Sequence, residues 1–485
     1  MERAHPRGMR LRVLDDRPLR ADGDYVLYWM VAARRTRWNL ALDHALDHAR
    51  RLRRPLVVLE ALRVDYPHAS VRFHTWVLQG MEDNAARFDA SPVTYLNHVE
   101  RGPGESRGLV AALAERACLV VTDDTPTFFL PRMLAAVAPR LGARVEAVDG
   151  HGLVPLRAAP QAYPAAVHFR RFVQKHAATF LETCPTPDPL DGLDLPRLAP
   201  EALKSIRARW PFDRPDPAAL PISRQVSAVE ARGGENAARE RWRAFLETRL
   251  AAYPDDRNHP DRDGQSGLSP ALHWGHLGAH QMFFELAAQS GWTPARLGEK
   301  ATGKREGFWN LGAAADAFVD QLVVWRELGA NFCVHRPDDA ARYEGLPAWA
   351  IQTLSRHAGD ARAPAYALST LERAETHDPL WNAAQRQLVS EGIVHNYLRM
   401  LWGKKVVEWS ATPEDAFRHL VVLNDRWALD GRDPNSYAGI GWVMGRYDHP
   451  WPPERPVFGT VRFMSSDSAR KKLELDAYLR RHARP

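Results

Sequence analysis

Gln321 and Trp325 lie four residues apart, and in a helix positions i and i+4 share a face. An amide beside a broad aromatic plate suits a pyrimidine, which can be hydrogen-bonded at its edge and stacked on its face. The pair alone would more often be a core tryptophan beside a surface glutamine. Trp402 and Trp409 are seven apart on one stripe, with Trp381 upstream in Asp378-Pro379-Leu380-Trp381-Asn382. Indoles in near contact can relay an electron hole, although spacing alone favours plain core. The segment from Leu423 to Tyr437 carries Asn424, Asp425, Arg426, Asp430, Arg432, Asp433 and Asn435. Such a run is expensive to bury without partners, so it is an exposed loop or a polar ligand cradle. Trp442 and Trp451, close behind, weigh against the exposed loop.

The loop Gln265-Ser266-Gly267-Leu268-Ser269-Pro270 precedes a helical pattern from Ala271. Ser269 reads as an N-cap and Pro270 as the first helical residue, so backbone donors and the positive helix end would face the loop, where phosphate could bind. A capped helix without a ligand is the commoner outcome for this motif. His273, His276 and His280, at i, i+3 and i+7, would share a face as metal ligands do. No carboxylate or cysteine is spaced to complete that set, so no metal is expected. Cys118, Cys184 and Cys333 are too few and too scattered for a disulfide framework.

The elements that must position these residues follow from periodicity. Short apolar runs at Tyr25 to Trp29, Leu56 to Leu59, Val93 to Leu96, Leu119 to Thr122 and Val145 to Val148 alternate with helical stretches such as Leu40 to Leu52 and Val71 to Phe88. This predicts βαβ units and a Rossmann-like, doubly wound parallel sheet. After the first strand, Trp29-Met30-Val31-Ala32-Ala33-Arg34 has no glycine fingerprint, which argues against NAD bound in the usual way. The proline- and aspartate-rich stretch from Cys184 to Ser223 reads as a connection over the surface. Helical patterns then dominate, at Glu230 to Ala251, Ala271 to Ser290, Ala313 to Leu328 and Gln385 to Trp409. The expected fold class is α/β plus α. Its parts are an N-terminal extension over 1–23, an α/β domain over 24–160, a connector over 161–227 and an all-helical domain over 228–485.

With 485 residues, 45% of them hydrophobic and 26% charged, the chain has an ordinary globular composition and room for more than one core. Nothing in it approaches the roughly 18 apolar residues of a membrane span, nor does 1–24 show a signal-peptide core. We therefore expect a cytoplasmic protein, associated with the nucleoid if bacterial. A net charge of +6 favours a polyanionic partner. Sixteen tryptophans, mostly in the second half, point to a use for indoles there.

Taken in order, these pieces resemble a class II cyclobutane pyrimidine dimer photolyase of the photolyase/cryptochrome superfamily, over about 24–475. Thr376-His377-Asp378-Pro379-Leu380-Trp381-Asn382-Ala383, Tyr397 to Trp409 and Asp430-Gly431-Arg432-Asp433-Pro434-Asn435 are close to that family's wording, as are Tyr25 to Met30 and Asn39-Leu40-Ala41-Leu42 near the start. The resemblance implies a U-shaped FAD in the helical domain. Its light-excited reduced anion would give an electron to a flipped-out pyrimidine dimer in UV-damaged DNA, splitting the dimer. Carried over by motif, Tyr253, Ser266, Leu268 and Ser269 would hold the FAD phosphates and ribityl chain, and Asn424 would face flavin N5. Arg399 and Asp430 would pair beside the ring system. Trp325 and Trp442 would wedge the lesion, Met400 would pack near it, and Trp402, Trp381 and Trp409 would relay electrons. The protein is expected to act as a monomer and to have room for an antenna chromophore of unknown identity.

One position departs from the family. A glutamate is usual where this chain has Gln321, and an amide donates a hydrogen bond without releasing a proton. Slower repair or a different lesion is the expected consequence. The loop Met444-Gly445-Arg446-Tyr447-Asp448-His449-Pro450-Trp451 also differs from the family's wording. Two other functions stay open at this point: a cryptochrome-like flavin photoreceptor, and a basic DNA-binding protein that stacks single strands on tryptophan.

Overall fold

The computed structural model describes residues 8–483. Six strands form one sheet: β1 (Leu11–Asp15), β2 (Tyr25–Met30), β3 (Leu56–Leu62), β4 (Thr94–Val99), β5 (Ala117–Asp124) and β6 (Val145–Asp149). Their order is β1-β6-β5-β2-β3-β4, parallel throughout except for β1, which runs antiparallel to β6. The doubly wound sheet and the helical remainder match the expected α/β plus α class. β1 lies within 1–23, which the sequence left as an extension. Its short Leu-Arg-Val-Leu-Asp sequence and partial exposure belong to an edge strand, where apolar content is a poor guide.

β2 and β5 are buried along their whole lengths, as strands covered on both faces must be. Tyr25, Leu27 and Trp29 enter one core layer and Val26, Tyr28 and Met30 the other. Parts of 161–227 pack here too. Leu203, Ile206 and Trp210 join the first layer and Leu190 and Leu195 the second, so the proline-rich stretch is more than a surface connection. Prolines preclude long helices without preventing short segments from burying leucines.

By compactness the chain forms two units. The first comprises Met1–Ala158, Ala177–Trp242 and Leu268–Gln289; the second comprises Ala159–His176, Arg243–Gly267 and Ser290–Pro485. These units interleave along the chain, unlike the sequential 24–160, 161–227 and 228–485 division.

Two expected helices are broken. In place of Ala271 to Ser290 stand Ser269–His273 and Ala279–Gln289. The break comes at Gly275, whose φ of +76° suits glycine and whose missing Cβ makes room for the Ala32 carbonyl. His273, His276 and His280 therefore do not share one helical face. In place of Gln385 to Trp409 stand Pro379–Glu391 and Asn396–Trp409, separated by Gly392, which closes the first helix at φ +72°.

Candidate functional site

The crevice at the carboxyl ends of β2 and β5, where the strand order reverses, is the usual ligand position in such sheets. Here Asp123 fills it. Its Oδ2 accepts from the backbone N–H groups of Val31, Ala32 and Ala33 at 2.8, 2.7 and 3.0 Å, and its Oδ1 from the Tyr28 hydroxyl at 2.8 Å. Asn39 braces the same turn, donating to Tyr28 Oη and to the carbonyls of Ala33 and Arg35 while its own oxygen caps the Leu40–Leu52 helix. The donors that a nucleotide phosphate would need are held by a side chain of the protein itself.

Among the described residues, His44, His48 and Glu146 are the group with metal-ligand spacing. Arg51 donates to His48 Nδ1 at 2.9 Å and Arg144 to Glu146 Oε1 at 2.6 Å. A ring nitrogen that accepts leaves the proton on Nε2, facing Glu146 at 3.0 Å, so a hydrogen-bonded cluster accounts for the three residues.

In the second unit Gln321, Trp325, Trp381, Arg399, Met400, Trp402, Trp409, Asn424 and Trp442 are carried by five helical segments. The first, from Ala313 to His335, contains a π-helical turn over Asp320–Trp325, a distortion frequent at functional sites. Asp320 anchors that turn through a buried ion pair with Arg170, at 2.6 and 3.2 Å. Gln321 and Trp325, at either end of one turn, are both half-buried. Beyond them Gly329 lets this segment approach the Pro434–Val443 helix, where an added Cβ would collide with the Pro434 carbonyl. The helices that bear Trp325 and Trp442 are thus in direct contact.

The matching motifs are devices that hold these helices. Asp378 caps Pro379–Glu391 by accepting from the N–H groups of Leu380 and Trp381, and Thr376 and Asn382 close on each other through 2.8 Å bonds. Asp433 caps Pro434–Val443 in the same way, with Pro434 opening the helix. The polar run after Leu423 is mostly buried, which removes the exposed-loop alternative. Asp425 accepts from Asn424 Nδ2 at 2.9 Å, the Arg432 N–H at 3.1 Å and the Tyr437 hydroxyl at 2.8 Å.

Those bonds orient Asn424. Its amide nitrogen is committed to Asp425 and to Ser436 Oγ at 3.2 Å, which leaves Oδ1 as its open acceptor. Arg399 grips Asp430 with two bonds, at 2.6 and 3.2 Å, in a largely buried pair. Met400, on the same helix as Arg399, lies beside Gly439. Trp442 is half-buried, with Lys404 Nζ 5.3 Å and the Arg462 guanidinium 5.8 Å from its ring.

The indoles of Trp402 and Trp381 are nearly parallel, 4° apart with centroids at 6.4 Å, and Trp381 meets Trp409 edge-on at 5.6 Å. All three are buried. Trp409 continues to Tyr366 at 5.5 Å and to the exposed His377 at 5.2 Å, and the Tyr366 hydroxyl lies 2.9 Å from His377 Nδ1. The row of rings therefore runs from a buried indole to the surface. The sequence reading missed Tyr366, which lies in a loop far upstream of the helical stripe. A tyrosine beside the Thr376-His377-Asp378 motif in space leaves no trace in spacing.

Tyr253 is buried between Phe245 and Phe318 with the Arg257 guanidinium over its ring, and burial raises its hydroxyl pKa. Ser266 is half-buried in the turn that follows. Leu268 and Ser269 belong to the first unit. Leu268, not Ser269, occupies the cap position, Ser269 and Pro270 lie inside the helix, and no side chain caps it. The five-residue Ser269–His273 helix is too short to supply the strong N-terminal field the sequence suggested. Arg257 Nε and both ring nitrogens of His395 are buried without protein partners, another feature the sequence did not reveal. Burial, reinforced by nearby His259, pushes His395 down to about 4.

A doubly wound sheet and a helical unit make up the fold of photolyases and cryptochromes. The fold superimposes on a class III photolyase from Agrobacterium tumefaciens with a TM-score of 0.71 at 17% identity, covering 95% of this chain and 86% of that one. A Synechocystis cryptochrome gives 0.69 at 15%, covering 94% and 88%. No protein-family model matches the chain. Among curated proteins, it is 32% identical to the deoxyribodipyrimidine photo-lyase of Methanothermobacter thermautotrophicus, covering 97% of both chains. It is 34% identical to that of Oryza sativa subsp. japonica, covering 94% of this chain and 87% of the relative. The chain belongs to the deoxyribodipyrimidine photo-lyase family.

Proposed function

We propose that the protein is a light-driven, class II-type photolyase that splits cyclobutane pyrimidine dimers in UV-damaged DNA, with reduced FAD held in the helical domain over 228–485. The observation that carries this reading is the pairing of an oriented Asn424 Oδ1 with the Arg399–Asp430 clasp. An amide oxygen with no internal partner suits a ring N–H, and a guanidinium held by a single carboxylate offers positive charge beside an anionic ring. The unpartnered buried donors of Arg257 and His395 are further polar groups that a bound cofactor would satisfy. Bound flavin would supply the excited electron.

The chain's own residues do the remaining work. Trp325 and Trp442 offer faces on which a flipped pyrimidine pair can stack, and Met400 offers apolar contact. Gln321 donates to a pyrimidine carbonyl from the π turn but has no proton to release. Trp402, Trp381 and Trp409 pass an electron inward from the surface, which keeps the cofactor reduced. Tyr253, Ser266, Leu268 and Ser269 are the proposed contacts to the FAD phosphates and ribityl chain. An antenna chromophore, if bound by the first unit, does not use the backbone donors taken by Asp123. The sequential division into 24–160, 161–227 and 228–485 remains the functional one we propose. The protein would work as a monomer in the cytoplasm, at the nucleoid if bacterial.

The test is to irradiate the reduced protein with an oligonucleotide containing a thymine dimer and follow the return of thymine absorbance. A yellow protein without light-dependent recovery would mean a photoreceptor; a colourless one would remove the flavin reading altogether.

A further inference from the structure

Lys404 directly follows the apolar stretch Leu401–Gly403, and it is fully buried. Its Nζ donates to the Val443 carbonyl at 2.5 Å, at the C-terminal end of the Pro434–Val443 helix, where unsatisfied carbonyls favour a cation. The same nitrogen lies 5.3 Å from the Trp442 ring centre. Gly403 permits this approach, since a Cβ there would press into the Val443 side chain. The next lysine faces elsewhere, bonded to Glu408 at 2.8 Å and lying over Trp409.

We propose that Lys404 is a positioning residue for Trp442: its ammonium group fixes the indole plane from the buried side and so sets how the exposed face meets a flipped base pair. The inference rests on the role of Trp442 proposed above. An ammonium near an indole face attracts it through the ring quadrupole, and more strongly when both are desolvated. The bond to Val443 ties that ammonium to the backbone of the residue next to Trp442, so cation and ring are held in one frame. Arg462 touches the same ring at 5.8 Å and Trp451 at 4.5 Å, but its exposed setting makes it a weaker anchor.

The charged groups facing Lys404 make its charge adjustable. Burial lowers its pKa to about 7, Asp448 opposing and Arg462 reinforcing that shift. Near neutrality the group changes between ammonium, which grips the indole, and amine, which still bonds the carbonyl but loses the ring attraction. Bound DNA phosphates favour the ammonium form, so lesion binding and protonation support each other.

The experiment compares wild type with Lys404→Met and Lys404→Arg in the flavin-loaded full-length protein. For wild type, the preference for dimer-containing over undamaged duplex falls about three- to tenfold from pH 6 to pH 8.5, the span of one cation–π contact. Lys404→Met sits at the weak level at every pH, and Lys404→Arg, which stays charged, shows no transition. Flavin content and photoreduction are unchanged in both. The Trp442 indole N–H resonance, assigned with Trp442→Phe, titrates near pH 7 in the free wild-type protein and not in Lys404→Met. This last measurement needs no DNA. A titrating indole with no lesion preference at any pH would count against the proposed function alone. An indole that does not titrate in wild type, or a pH dependence of preference that persists in Lys404→Arg, overturns the role given to Lys404. If Lys404→Met fails to fold, the Lys404→Arg comparison decides.

Discussion

Trp381 and Trp402 lie 4° from parallel, and the Trp381 indole N–H donates to the Trp402 backbone carbonyl at 3.0 Å. The bond fixes one ring against the helix that carries the other, and Trp402 is fixed in turn by donating to Gln385 Oε1 at 2.9 Å. Rings so constrained keep a constant electronic contact. Trp402→Phe is expected to abolish photoreduction of oxidised flavin, while enzyme reduced chemically beforehand still repairs. Absorbance during blue-light illumination with an external donor measures the first, and single-turnover repair the second. Photoreduction that survives would mean that electrons enter by another route.

Tyr366 extends the same row. With its hydroxyl 2.9 Å from His377 Nδ1, it can lose a proton to the imidazole as it is oxidised. Tyr366→Phe keeps the edge contact to Trp409 but removes that proton path, so the charge-separated state should recombine faster and steady photoreduction should slow severalfold. Transient absorption would show a tyrosyl signal in wild type that is missing in the variant. If no such signal appears in wild type, the row ends at Trp409.

How much of this was legible in the sequence depends on range. β2, β3 and β5 are local patterns, and they stand as read. The break at Gly275 was not legible, because it exists to admit a carbonyl from Ala32. The π turn at Asp320 was missed for a similar reason, as its buried partner is Arg170. Tyr366 and Lys404 gain their interest only from what the fold places against them. The polar run after Leu423 was recognisable as a cradle or a loop, and its burial around the hydrogen bonds to Asp425 rules out the exposed loop.

Gln321 tests the departure from the family's wording. It is half-buried, one residue from the Asp320 anchor, so a substitution of equal size leaves the π turn in place. Gln321→Glu restores a group that can both donate and release a proton when protonated. Repair per absorbed photon should rise, by about two- to tenfold if proton supply to the split dimer limits the yield, with lesion affinity little changed. An equal or lower yield would show that the amide is not the limiting feature.

Binding to DNA should weaken steeply with salt, and the surface beside the π turn should contribute. Lys304 and Arg305 are exposed on a loop whose backbone is pinned by Arg170 and Gln174. Removing both with Lys304→Ala and Arg305→Ala should lower the slope of log K against log salt by about 2 if each meets a phosphate, since each contact on duplex DNA contributes about 0.9. Fluorescence anisotropy over a range of ionic strength gives the slope, and an unchanged one would place the DNA elsewhere.

Stability should fall in acid through a residue remote from the proposed chemistry. His276 is fully buried against Gly80, and its Nδ1 accepts from the Gly234 N–H at 2.8 Å. Burial, with Arg34, Arg35 and Arg232 nearby, pushes its pKa down to about 3. The unfolded chain, titrating near 6.5, therefore binds a proton that the folded chain refuses throughout the window between these values. Stability is complete above the unfolded value and drops as pH falls, by up to about 1.4 kcal/mol per pH unit for this one group. His276→Asn keeps an acceptor near the Gly234 N–H and cannot titrate, so its urea midpoint should be lower than wild type at pH 7 but decline less steeply toward pH 4.5. Parallel declines would assign the acid sensitivity to other groups, His395 first among them.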